Sequence, residues 1–92
     1  MSLLPHETVD ERLNTSAWRR DGDAIQRDIE LADFAAAMTY AQRVGALAEA
    51  ANHHPDILVH GWNKVCLTLS THSEGGLTEA DLALAGQIDG LA

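Results

Sequence analysis

The chain has 92 residues, enough for one compact domain spanning 1–92 and too few for two. Its formal net charge of −8, with 14 acidic and 6 basic side chains, is the wrong sign for neutralising nucleic-acid phosphates or docking on anionic membranes. Cys66 is the only cysteine, which excludes an internal disulfide and a zinc site of paired cysteines.

No apolar run approaches the ~20 residues that span a bilayer, and Met1 to Glu7 has no basic start followed by an apolar stretch. A cytoplasmic location is expected. Hydrophobic residues make up 46% of the chain but aromatics only 4%, so the core must come mainly from Leu, Ile, Val and Ala. So short a chain gains burial readily by oligomerising.

Pro5 suits a first helical turn, and Val9 and Leu13 then fall on one face, so a short helix is expected from about Pro5 to Asn14. Asp21-Gly22 is a turn signal. After it Ile25, Arg27, Ile29 and Leu31 alternate with Gln26, Asp28 and Glu30, the period of a half-buried strand. A hairpin of Ala17–Asp21 with Ala24–Leu31 follows. Asp33 is a good N-cap for a long helix over Phe34–Ala51, whose expected apolar stripe is Phe34, Met38, Ala41, Gly45, Ala48 and Asn52. Pro55 forbids continuation and pushes His54 towards an extended conformation.

Two strands are expected between Ile57 and Thr71, reversing at Gly61 near Trp62-Asn63. Val65, Leu67 and Leu69 share one face; Lys64, Cys66, Thr68, Ser70 and His72 share the other. Thr78 is an N-cap with Asp81 as acidic partner of a capping box, Leu77 and Leu82 are placed for a hydrophobic staple, and Leu82, Ala85 and Ile88 form the last apolar stripe. The order helix, two strands, helix, two strands, helix predicts an α+β fold: a four-stranded antiparallel sheet covered on one face by three helices.

The strongest local anomaly is His53-His54-Pro55. Imidazole is the side chain whose unperturbed pKa lies near neutrality, and a stiff segment positions it as acid or base. His72, at the expected end of the last strand, can join the pair if both ends lie at one edge of the sheet. Taken singly, these residues also have plain structural readings. His-His-Pro is a polar helix-to-strand connection, His72 a solvated strand end, Asp81 a cap, Trp62 core or oligomer contact, and Glu49 a solvated helix face. His6 and His60 have no supporting context. Neighbouring histidines in an extended segment point apart, and no HExxH spacing exists, so no metal site is expected.

Together the residues form a longer pattern. Glu49, three residues, His53-His54-Pro55, six residues, Trp62, nine residues, His72, eight residues and Asp81 resemble the signature of pterin-4a-carbinolamine dehydratases. The flanks agree: Phe34 opens the long helix, Val65-Cys66-Leu67-Thr68-Leu69-Ser70-Thr71-His72 forms the last strand, and Gly76-Leu77-Thr78 precedes the last helix. The likeness runs from about Leu13 to Ile88. Asn52 stands where some members carry Asp, and Ala80 where some animal members carry Arg.

The resemblance implies a cofactor-free hydro-lyase that converts 4a-hydroxytetrahydropterin to quinonoid dihydropterin, recycling the cofactor of aromatic amino acid hydroxylases. It implies a homodimer or homotetramer, with His53, His54 and His72 catalytic and with Asn52–His54 and Ser70–Ser73 (Ser70, Thr71, His72, Ser73) lining the pterin. Glu49, Pro55, Trp62 and Asp81 would support them. His54 and His72 are expected as the acid–base pair and His53 as an orienting or substrate-binding group. The alternative is a binding module on the same fold, of the transcription-factor dimerisation-cofactor or rubisco-assembly-chaperone type. That chaperone branch has an eroded histidine constellation, whereas all three histidines are present here.

Overall fold

Alternation of burial along the last strand fixes how the layers stack. The computed structural model describes residues 2–91. It runs α1 (His6–Arg12), β1 (Arg19–Asp21), β2 (Ala24–Glu30), α2 (Phe34–Ala51), β3 (Asp56–His60), β4 (Lys64–Leu69), a 3-10 turn (His72–Glu74) and α3 (Glu79–Asp89). The strands form one antiparallel sheet in the order β1-β2-β4-β3. The α+β order expected from the sequence is therefore the order observed.

In the ladder Leu67 lies opposite both Arg27 and Ile57, and Val65 opposite both Ile29 and Val59. These residues share one face of the sheet, on which Ile25, Val65, Leu67 and Leu69 are fully buried. All three helices close on that face, through Val9 of α1, Ala37, Tyr40, Val44 and Ala48 of α2, and Leu84, Ala85 and Ile88 of α3. Each fully buried Leu, Ile or Val contributes about 1.5–3 kcal/mol. The opposite face is polar, with an Arg19–Asp28 ion pair at 3.0 Å and Gln26 donating to Thr68 Oγ1 at 3.2 Å.

α1 is shorter than the spacing predicted, and Pro5 is its N-cap rather than its first residue. α2 has the expected bounds, with the Asp33 carboxylate accepting from the Ala36 N–H at 2.8 Å. Its buried stripe differs from the expected one. Ala37, Tyr40, Val44 and Ala48 face the core, whereas Phe34 and Met38 are 53% and 41% exposed. An alanine-rich helix presents apolar residues on adjoining faces, and periodicity alone does not choose between them. The face that packs puts small alanines and Val44 against the sheet around a single Tyr40.

α3 begins with the expected capping box, Thr78 with Asp81. Leu84 joins the core there, while the expected Leu82 is only partly buried. The far end of α3 is tied to the sheet by Asp89, which accepts from the buried Trp18 indole at 2.8 Å and pairs with Arg27. Among the described residues no helix is long and apolar enough to cross a membrane.

Candidate active site

Asp56, the first residue of β3, pairs with Thr68 near the end of β4. The segment entering β3 and the segment leaving β4 therefore lie at the same end of the sheet. The sequence puts His53-His54 on the first and His72 on the second.

α2 stops at Asn52, which adopts the left-handed conformation at φ 50°. Asparagine tolerates this better than most residues because its short polar side chain bonds locally. The turn lets the N–H of Asn52 donate to Glu49 O at 3.2 Å and that of His53 to Ala48 O at 3.1 Å, satisfying carbonyls at the helix end. Pro55 then holds the chain extended into β3. Successive side chains of an extended segment point to opposite sides, and the two histidines do so.

His53 turns inward. Its Nε2 lies 2.5 Å from Asp81 Oδ1, and the Asp81 side chain is completely buried. Asp81 Oδ2 accepts from the Thr78 N–H at 2.9 Å and from Thr71 Oγ1 at 2.8 Å. Thr71 Oγ1 and Thr78 Oγ1 are themselves 2.8 Å apart. A buried carboxylate is tolerated only when its oxygens are paired in this way. His54 turns outward and pairs with Glu49, five positions earlier, with both side chains more than half exposed.

His72 is not at a strand end. β4 finishes at Leu69, and His72 opens the 3-10 turn His72–Glu74. The Thr71 N–H donates to Gly76 O at 2.8 Å, so the chain doubles back at once. Gly75 makes the reversal at φ 73°, in the region where glycine carries no Cβ penalty. His72 is exposed, and it follows directly on the Thr71 whose hydroxyl reaches Asp81.

The other expected residues are distributed unevenly. Ser70 is at this end and donates to Asp23 O at 2.7 Å. Asn52 and Ser73 are exposed, and Pro55 is half-buried. Thr71 is buried, its hydroxyl engaged with Asp81 and Thr78. Trp62 is not brought to the cluster. It sits in the β3–β4 turn, a strand length of roughly 16 Å away, 61% exposed. Its φ is 61°, a costly conformation for a bulky residue.

Thr78 was legible only as a cap, yet it also braces Asp81. Its spacing to Asp81 was the available signal. Among the described residues no three His, Cys, Asp or Glu side chains gather as a metal would need. A cleft of about 490 Å³ lined by Asp28, Ile29, Glu30, His60 and Lys64 lies at the opposite end of the sheet and shares no residue with the cluster. The histidine end thus offers one anchored imidazole beside two solvent-facing ones, an arrangement able to hold a polar ring and exchange protons with it.

Comparison with known proteins gives concordant matches. Residues 2–91 match the family described as Pterin 4 alpha carbinolamine dehydratase. A protein of Roseiflexus castenholzii, provisionally named pterin-4-alpha-carbinolamine dehydratase, is 46% identical over 96% of this chain and 95% of its own length. A Thermomicrobium roseum protein with the same provisional name is 48% identical over 100% of this chain and 99% of its own. Among solved structures, a transcriptional coactivator/pterin dehydratase from Brucella melitensis superposes with TM-score 0.89 at 31% identity, covering 99% of both chains. A pterin dehydratase-like protein identified as a RuBisCO assembly factor in the alpha-carboxysome superposes with TM-score 0.69 at 28% identity, over 83% of this chain and 89% of that one.

Proposed function

We propose that this chain, which belongs to the pterin 4 alpha carbinolamine dehydratase family, eliminates water from 4a-hydroxytetrahydropterin to give quinonoid dihydropterin. In that role it recycles the cofactor of aromatic amino acid hydroxylases, in the cytoplasm and without a cofactor of its own. The observation that supports it most is that His53, His54 and His72 are all present on the two segments that meet at one end of the sheet, with His53 held by a buried carboxylate.

The C4a–O bond breaks and the N5–H proton leaves as the C4a=N5 double bond forms. One imidazolium gives a proton to the departing hydroxyl, and one neutral imidazole takes the N5 proton. His54 and His72 fill these two roles, since both are solvent-facing. His53 binds and orients the ring. The segments 52–54 and 70–73 line the pterin.

Copies of the chain pair along β3 in this proposal. β3 is a sheet edge, and its Ile57 and Leu58 are exposed. Unpaired edges of this kind are templates for further strand pairing. The strand is self-complementary: Asp56 and His60 are equally distant from Leu58, so an antiparallel copy centred on Leu58 sets acid against imidazole at both ends.

The test is a stopped-flow ultraviolet assay of metal-free protein on chemically generated 4a-hydroxytetrahydropterin, beside a His54→Ala, His72→Ala double variant. Acceleration by wild type, reduced by ~10²–10⁴ or more in the variant, is expected. No acceleration by wild type overturns the dehydratase role and moves the weight to a binding role on the same scaffold.

A further inference from the structure

The contacts around Asp81 have only one consistent set of proton directions if its carboxylate accepts from every neighbour. Thr71 Oγ1 has a single proton, and that proton goes to Asp81 Oδ2 at 2.8 Å. The 2.8 Å contact between the two threonine hydroxyls must then be donated by Thr78 and accepted by Thr71. Thr78 Oγ1 in turn accepts from the Ala80 N–H at 3.3 Å. The second donor to Oδ2 is the Thr78 N–H, at 2.9 Å. Oδ1 is left for His53 Nε2, which must carry a proton to donate across 2.5 Å. Donation thus converges on the carboxylate, from the first turn of α3 through two hydroxyls onto Oδ2 and from the imidazole of His53 onto Oδ1. Asp81 and Thr78 are 0% exposed and Thr71 is 8% exposed, so water does not compete for these positions.

We propose that Thr71 and Thr78 are positioning residues that fix His53 as its Nε2–H tautomer, leaving Nδ1 as the nitrogen presented to the substrate. Among the described residues the one buried side-chain nitrogen or oxygen without a partner is Arg27 Nε, so the unpartnered Nδ1 of His53 is reachable from outside. A neutral imidazole has one donor and one acceptor nitrogen, and the partner of one decides the character of the other. His53 therefore meets the substrate as an acceptor, suited to an N–H or O–H of a polar heterocycle. The hydroxyls of Thr71 and Thr78 carry this direction. The consequence for catalysis rests on the dehydratase role proposed above; the tautomer does not.

The experiment reads the ring directly. Long-range proton–nitrogen correlation spectra are recorded on 15N-labelled protein at about pH 8.5, above the unperturbed imidazole pKa of about 6.5. Wild type is expected to show His53 as a single Nε2–H tautomer. Thr71→Val, which keeps the shape and deletes the hydroxyl, is expected to give a mixture, and Thr71→Ser to restore the single form. Dehydration rates should follow, with kcat down roughly tenfold to a hundredfold in Thr71→Val and recovered in Thr71→Ser, because small misplacement of a reacting group has costs of that size. An Nδ1–H tautomer in wild type overturns the proposal. So does an unchanged Nε2–H tautomer in a folded Thr71→Val protein. If Thr71→Val does not fold, Thr71→Ala, which also deletes the hydroxyl that donates to Asp81, is read in its place, and an unchanged Nε2–H tautomer there overturns the proposal. An Nε2–H tautomer in a protein without dehydratase activity removes the reaction assignment and leaves the anchor standing.

Discussion

The indole N–H of Trp18 donates to the carboxylate of Asp89 at 2.8 Å, joining residues 71 positions apart. Asp89 also pairs with Arg27, whose Nε is buried without a partner. One carboxylate at the end of α3 therefore satisfies a buried indole and one nitrogen of a half-buried guanidinium. Asp89→Ala is expected to lower stability by about 1–2 kcal/mol, because both donors lose their acceptor. Trp18→Phe should cost less through the hydrogen bond alone, and the two losses should not add, since they share it. Urea unfolding of the two single variants and the double variant checks this. Full additivity would show that the bond contributes nothing.

Two carboxylates hold histidines at the site, and they should behave differently on substitution. Asp81 is buried and closes the capping box of α3, whereas Glu49 is exposed beside an exposed His54. Asp81→Asn is expected to destabilise the fold by about 1–3 kcal/mol, the cost of mispairing a buried polar group. Glu49→Gln should leave the unfolding midpoint unchanged, because exposed ion pairs contribute little, and should reduce dehydration by less than about tenfold. An equal loss of stability in both would contradict the division into an inner and an outer imidazole.

Pairing along β3 predicts that Leu58→Lys, at the centre of the proposed ladder, yields monomers. Light scattering coupled to size exclusion, over a dilution series, reads the mass. Like charges facing each other directly are destabilising in a sheet, so the variant should dissociate at concentrations where wild type stays associated. An unchanged mass would place the contact elsewhere, with the exposed Phe34 and Met38 flank of α2 the next surface to alter.

Burial pushes the Cys66 thiol above its ordinary range, and the hydrogen bond and charge of Asp28 add to the rise. Alkylation by iodoacetamide at neutral pH should therefore be slower than for a free thiol, whose pKa is about 8.5. The folded chain holds the proton more tightly than the unfolded one. The associated stability is present below the unfolded value and is lost as pH rises through the folded value. A half-maximal alkylation rate at or below about pH 8.5 would contradict this.

What could be read from the sequence was whatever is written locally. Asp33 and Pro55 bound α2, and the alternation of Val65, Leu67 and Leu69 set the face of β4, because caps, breakers and period two depend on neighbouring residues. The buried face of α2 was not legible, since its alanines offer adjoining apolar faces and the choice lies with the sheet. The end of β4 was missed because the reversal after Thr71 depends on its bridge to Gly76. The histidines, Glu49 and Asp81 were singled out together by the pattern that resembles the family signature. The contact of His53 with Asp81, 28 positions away, and the brace of Thr71 and Thr78 behind it required the fold.

Asp81 serves the start of α3 through Oδ2 and holds His53 through Oδ1, so one carboxylate carries both duties. That shared duty divides the mutational neighbourhood of this chain in two. Substitutions at the inner carboxylate weaken the scaffold together with the hold on His53. On the dehydratase role proposed above, substitutions at His54 or His72, both exposed, would remove chemistry and leave a folded body free to be recruited for other work. A scaffold built this way can shed catalysis without passing through an unfolded ancestor. The superposition with a RuBisCO assembly factor is the kind of relationship that such a route produces.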